Sequence, residues 1–119
     1  MAERSYRIRV LDILAEINGV EQILQGKNFD AYASEMMTRR AIERCVEIIS
    51  EASRHIPIDV KAKYPNVPWQ KISAIGNLLR HEYGLVEDIV IWRVAETSLP
   101  ELKPVIEQIL ADLPDEAED

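Results

Sequence analysis

At 119 residues the chain suits one compact domain, and 47% hydrophobic residues supply a core without disulfides. The single cysteine, Cys45, excludes an internal disulfide, and no apolar run approaches the roughly 20 residues that span a bilayer. A net charge of −7 argues against broad non-specific nucleic-acid binding but leaves room for a cationic site that is local or shared between subunits. The start, Met1-Ala2-Glu3-Arg4, lacks the order of a signal peptide, and with a lone cysteine a reducing cytoplasm is the expected compartment. Asp115, Glu116, Glu118 and Asp119 hold over half of the excess negative charge and read as a solvated tail. The expected division is a folded unit over 1–113 and an acidic tail over 114–119.

Only four Gly occur, while Leu, Ile, Ala, Glu and Arg are abundant, a mixture that favours helix. The first predicted helix runs from about Ser5 to Gln25, with Tyr6, Val10, Ile13, Ile17, Val20 and Leu24 on one face and Gly26 ending it. A second runs from an N-cap at Asp30 to about His55, where Pro57 stops it. Its apolar face is Met37, Ala41, Cys45, Ile48 and Ala52, widened by Ile42 and Ile49. Residues 58–67 connect to a third helix that Pro68 opens and Tyr83-Gly84 closes, carrying Trp69, Ile72, Ile75 and Leu79. A fourth, over about 86–97, turns Ile89 and Trp92 inward. Ser98 and Glu101 spell a capping box for a fifth, whose apolar face is Leu102, Val105, Ile106, Ile109, Leu110 and Leu113. No segment alternates with period two. The predicted fold is all-α, an antiparallel, up-and-down helical bundle of about five helices.

One segment carries polar groups suited to chemistry. On the third helix Gln70, Ser73, Asn77 and His81 form a stripe with Arg80 beside it. Such a stripe is most often a solvated face, and Arg and His near a helix C-terminus complement its dipole. Gly76 stands out, because a mid-helix Gly costs roughly 0.5–1 kcal/mol against Ala unless a helix or ligand approaches closely. The chemical reading is cleavage of an RNA phosphodiester. A histidine exchanges protons near neutrality at the 2′-hydroxyl or the leaving oxygen. An arginine stabilises charge on phosphate, and Asn77 positions His81 or a phosphate. His55, the other histidine, reads as a surface or capping residue. Arg39, Arg40 and Arg44 read as partners of Glu43 and Glu47 before they read as an RNA patch. No ligand-spaced Cys or His cluster and no glycine-rich phosphate loop is present, so no cofactor is implied.

Pro68-Trp69-Gln70-Lys71-Ile72 followed by Gly76-Asn77-Leu78-Leu79-Arg80-His81-Glu82-Tyr83 resembles the HepT-like branch of the HEPN superfamily. Arg40-Ala41-Ile42-Glu43-Arg44, Ile49-Ser50-Glu51-Ala52, Ile91-Trp92 and Ser98-Leu99-Pro100-Glu101-Leu102 extend the likeness over about Tyr6 to Leu113. The resemblance implies a homodimeric helical bundle acting as a metal-independent ribonuclease, the toxin of a toxin–antitoxin pair. Its implied partners are RNA and a minimal nucleotidyltransferase antitoxin, with no membrane. The family motif is Arg, four residues, His, one residue, Tyr. His81 and Tyr83 match, and Tyr83 is the residue that an antitoxin would modify with AMP. Glu51 matches an acidic position able to pair with Arg80 or orient His81, and reads equally well as an ordinary surface carboxylate. The motif arginine is replaced by Gly76, which leaves two readings. Either Arg80 serves the phosphate from a neighbouring position, the favoured reading, or the site is degenerate and the chain binds a nucleotidyltransferase or a nucleotide.

Overall fold

Val10, Ile13, Ile17 and Val20 form the buried stripe of the first helix, α1 (Ala2–Leu24), as their spacing predicts. The computed structural model describes residues 2–114, so the acidic residues 115–119 of the expected tail lie outside the described residues. Gly26 ends the α1 turn with φ +76°, a left-handed geometry that glycine adopts without strain. The remaining helices are α2 (Phe29–Ser34), α3 (Met36–Ser53), α4 (Ile58–Lys61), α5 (Trp69–His81), α6 (Asp88–Arg93) and α7 (Leu99–Asp112). A 3-10 turn spans Tyr83–Leu85 and a π turn spans Val94–Ser98. Among the described residues there is no strand, and the fold is the predicted all-α bundle.

The contacts give the direction of each helix. Arg7 donates to the Pro114 carbonyl (2.8 Å) while Lys103 meets Glu21 (2.9 Å), so α1 and α7 are antiparallel. Ser50 meets Gly76, and Arg54 meets Ser73, so α3 and α5 are antiparallel as well. α3 lies in the middle, packed on α1 by one face and α5 by another. Its inward residues are Ile42, Cys45, Val46, Ile49 and Ala52, closed from the other side by Leu102, Ile106 and Ile109 of α7.

Several local expectations are corrected. The predicted second helix is two helices, because Glu35 is extended (φ −108°, ψ 101°). The break lets α2 swing Phe29 and Tyr32 against Trp92, with ring centroids 6.1 and 5.6 Å apart, which a straight helix could not do. The Glu35 carboxylate accepts from Lys27 Nζ (2.8 Å) and Thr38 Oγ1 (2.7 Å), and these bonds hold it below the usual carboxylate range. The N-cap of α2 is Asn28, whose side chain accepts from the Ala31 N–H (2.9 Å), not Asp30. Met37, assigned to the buried face, is 82% exposed, because the core face of α3 is rotated toward Ile42, Val46 and Ile49. α3 ends at Ser53, two residues before His55. In α6 the fully buried residue is Ile91, with Ile89 and Trp92 half-buried.

The capping box does not form. Ser98 has helical geometry (φ −67°, ψ −43°) and makes no side-chain cap bond, because the backbone continues through it from α6 into α7. Pro100 has no N–H to give to an α-turn. The Leu99 N–H reaches Val94 O, five residues back, and the wider turn absorbs the proline. Ile91, Ala95 and Leu99 recur every four residues and stay buried because this turn holds more residues than an α-turn.

Candidate functional site

Gly76 is buried at the contact of α5 with α3. Its N–H donates to Ser50 Oγ (3.1 Å), and the Ser50 hydroxyl donates to Ser73 O (3.0 Å). A Cβ at position 76 would lie 2.4 Å from Ser50 Oγ and 2.6 Å from Ser50 Cβ. Close approach of a neighbouring helix therefore accounts for this glycine, and an arginine side chain has no room there. Ser53 donates to Ser50 O (2.7 Å), and Arg54 Nη2 donates to Ser73 O (2.7 Å). These bonds fix the rotation of α5 about its axis and with it the direction of every side chain on the polar stripe.

Arg80 stands one turn after Gly76, so both lie on the side of α5 that faces α3. Helical side chains lean toward the N-terminus, and Ser50 fills the space that a side chain at 76 would take. Arg80 Nε lies 3.9 Å from Glu47 Oε2, and Nη2 lies 3.7 Å from Glu51 Oε1. Glu51 also meets His55 Nε2 (3.5 Å), and Glu47 meets Arg44 Nη1 (3.9 Å). Of the roles open to Glu51, the geometry is that of a half-exposed carboxylate beside Arg80. The exposed His55 pairs with it, in keeping with a surface role. A cavity of about 280 Å³ is lined here by Arg9 and Asp12 of α1, Arg44, Glu47 and Glu51 of α3, and Arg80. Arg80 and Glu51 are about half exposed, at 47% and 46%. Exposed pairs of this kind contribute only about 0–1 kcal/mol, so a bidentate phosphate can displace the carboxylates.

His81 and Asn77 are exposed on the adjoining face of α5, and among the described residues neither side chain has a hydrogen-bond or ionic partner. His81 is the last residue of the helix, and Tyr83 opens the 3-10 turn that follows. The stripe thus offers an unengaged imidazole and amide, with the guanidinium about 100° round the helix from the imidazole. Arg39 is held by Asp88 (3.9 Å) and by Ala33 O rather than turned to a ligand. Among the described residues no three His, Cys, Asp or Glu side chains gather as a metal site, and no helix is long and apolar enough to cross a membrane. Residue pattern alone missed Ser50 and the second carboxylate on Arg80, Glu47. The signal for Ser50 was present, since a serine directly after Ile48-Ile49 on the apolar side of α3 faces the one mid-helix glycine of α5.

The sequence model of the family described as "Ribonuclease HepT-like" matches residues 13–109, and the chain belongs to this family. It is 33% identical over 107 residues to a protein of Methanocaldococcus jannaschii named "Putative RNase MJ1380", covering 90% of this chain and 98% of that one. It is 31% identical over 107 residues to "Probable ribonuclease HepT" of Thermococcus cleftensis, covering 90% and 97%. A protein of Caldanaerobacter subterraneus, "Putative RNase TTE0752", is 32% identical over 98 residues, covering 82% and 88%. No solved structure matches the chain.

Proposed function

We propose that this chain is a metal-independent endoribonuclease, the toxin of a toxin–antitoxin pair neutralised by a minimal nucleotidyltransferase, acting in the cytoplasm of a bacterium or archaeon. Membership of a ribonuclease family supports the reaction class. The observation that carries the residue roles is the placement of Arg80 one turn past Gly76, with His81 and Asn77 free on the adjoining face. Arg80 takes the place of the motif arginine, displaced along the helix because Ser50 occupies the space that a side chain at 76 would need.

The proposed step is transesterification. His81 draws the proton from the ribose 2′-hydroxyl, the 2′-oxygen bonds to phosphorus, and the bond to the 5′-oxygen breaks. That oxygen leaves with a proton, giving a cyclic phosphate and a free 5′-hydroxyl. Arg80 stabilises the negative charge gathered on the phosphoryl oxygens, and Asn77 orients the phosphate. One chain supplies one such histidine on this helix, so the second proton-transfer group comes from the same stripe of a homodimeric partner. Tyr83, two residues on, is the proposed acceptor of AMP from the antitoxin. Purified protein should cleave RNA in EDTA, and His81→Ala should abolish cleavage. Cleavage that survives the substitution removes His81 from the mechanism.

A second reading is supported by the engagement of Arg80 by Glu47 and Glu51. In it the site is degenerate, and the chain binds a nucleotidyltransferase partner or a nucleotide. RNA left intact by a large excess of protein, together with stable complex formation, would favour it.

A further inference from the structure

A broad depression lies at the opposite end of α5 from His81. It is open, has a volume of about 900 Å³, and sits between α4, the loop after it and the first two turns of α5. Arg54, Lys61 and Lys71 line it, and no carboxylate does. That composition is unusual in a chain with 14 basic and 21 acidic residues. The cavity beside Arg80, by contrast, pairs three arginines with three carboxylates.

Two of the cations are held in place. Arg54 is fixed by its bond to Ser73 O (2.7 Å). Lys61 Nζ lies 5.8 Å from the Trp69 ring centroid, and the indole N–H donates to the carbonyls of Lys61 and Tyr64, both at 3.2 Å. Burial lowers the pKa of Lys61, the mark of a cation with reduced access to water. Ile58, 84% exposed, adds apolar surface at the rim that a base can cover.

The depression is continuous with the stripe that bears His81. Gln70 and Ala74 line it, and together with Asn77 and His81 they fall within an arc of about 60° on the helix. From Ala74 to His81 the rise is about 10 Å, a distance that a few nucleotides of an extended strand cover.

We propose that this depression is a subsite for the sugar–phosphate backbone of single-stranded RNA. Arg54, Lys61 and Lys71 hold phosphates there while the strand runs along α5 to His81. The occupant follows from charge complementarity, a cationic surface without carboxylates on an acidic protein, and from continuity with the His81 stripe. The proposal rests on the ribonuclease reading for its choice of RNA.

The test uses full-length protein carrying His81→Ala, so that a fluorescein-labelled single-stranded RNA of about twelve nucleotides stays whole. Binding is followed by anisotropy across a salt series. Arg54→Gln and Lys71→Gln should each weaken binding severalfold and reduce the salt slope by about 0.7–1. The double variant should lose tenfold or more, while Lys103→Gln, outside the depression on α7, should change neither quantity. Unchanged affinity and slope in the double variant overturn the proposal, as does an equal loss from Lys103→Gln or a parent protein that does not bind. Retained RNA binding with loss of a nucleotidyltransferase complex assigns the surface to a protein and also overturns it. Failure of the ribonuclease reading is read separately, as absence of RNA cleavage by the wild type.

Discussion

The N–H of Gly76 and the hydroxyl of Ser50 meet at 3.1 Å in the buried seam between α3 and α5, where Ser50 is 1% exposed. The bond joins two helices through the one position on α5 where a side chain would collide. A Cβ there would stand 2.4 Å from Ser50 Oγ.

Gly76→Ala should therefore be destabilising, although alanine is the better helix former. The helix gains about 0.5–1 kcal/mol and overpacking costs about 1–3 kcal/mol. A fall in melting temperature of several degrees is expected by thermal unfolding. Ser50→Ala leaves the Ser50 Cβ in place, 2.6 Å from the added carbon, and should not rescue the variant, whereas Ser50→Gly should. The same arithmetic governs restoration of arginine at position 76, which requires Ser50→Gly alongside it. A single Gly76→Ala variant as stable as the wild type would show that the seam can open at little cost.

Arg80 and His81 should separate in kinetics. Loss of a proton-transfer group costs about 10²–10⁴ in rate, and loss of one phosphate-stabilising donor costs about 10²–10³. His81→Ala should affect kcat through the whole pH range. Arg80→Lys should recover only part of the Arg80→Ala defect, because lysine lacks the bidentate fork. Equal activity of Arg80→Lys and wild type would remove the forked contact from the mechanism.

The carboxylates on Arg80 should compete with substrate. Glu47→Gln together with Glu51→Gln should lower KM for RNA and change stability by less than about 1 kcal/mol. A raised KM would mean that Glu47 and Glu51 aim Arg80 rather than hold it back.

Tyr32 buries its whole side chain, and its hydroxyl has no hydrogen-bond partner among the described residues. Burial, reinforced by Glu43 and Asp88, pushes its pKa well above the usual phenol range, while Arg39 opposes the shift. An unpaired buried hydroxyl costs about 1–3 kcal/mol. Tyr32→Phe should thus hold or raise the melting temperature. A clear loss of stability would reveal a partner for the hydroxyl.

Cys45 should be inert. Burial, with a hydrogen bond to Glu16 and its negative charge, pushes the thiol up to about 12. At pH 8 the thiolate fraction is about 10⁻⁴, against roughly a quarter for a free cysteine. A thiol reagent should leave the folded protein unlabelled and label it once per chain after denaturation.

Much of this fold was legible in the sequence where long helices bury one face. Val10, Ile13, Ile17 and Val20 needed only their spacing, and Leu102, Ile106 and Ile109 likewise. The break at Glu35 was not legible, because no proline or glycine marks it and the aromatic contact that goes with it, to Trp92, comes from a distant element. The cap at Ser98 failed for a related reason. Its motif was present, but Leu99 bonds back to Val94 and Ser98 is itself helical, so α7 has no extended N-cap residue there. At the candidate site, the glycine was readable as a close approach, while the identity of what approaches, Ser50, required the packing of α3. Arg80 was readable as a cation, and its two carboxylates were not, since they come from another helix.

The π turn at Val94–Ser98 makes the length of the last third of the chain as consequential as its composition. It stores one surplus residue between α6 and α7, and each residue of an α-helix advances the side chains by about 100°. Deleting exposed Glu96 or Thr97 would remove the surplus residue and the wide turn with it, leaving Leu102, Ile106 and Ile109 in phase with Ile91 but setting the Pro100 ring against the carbonyl four residues back. The bundle therefore has a point where counting matters as much as chemistry, and a deletion there would be felt at Pro100 and not across the core.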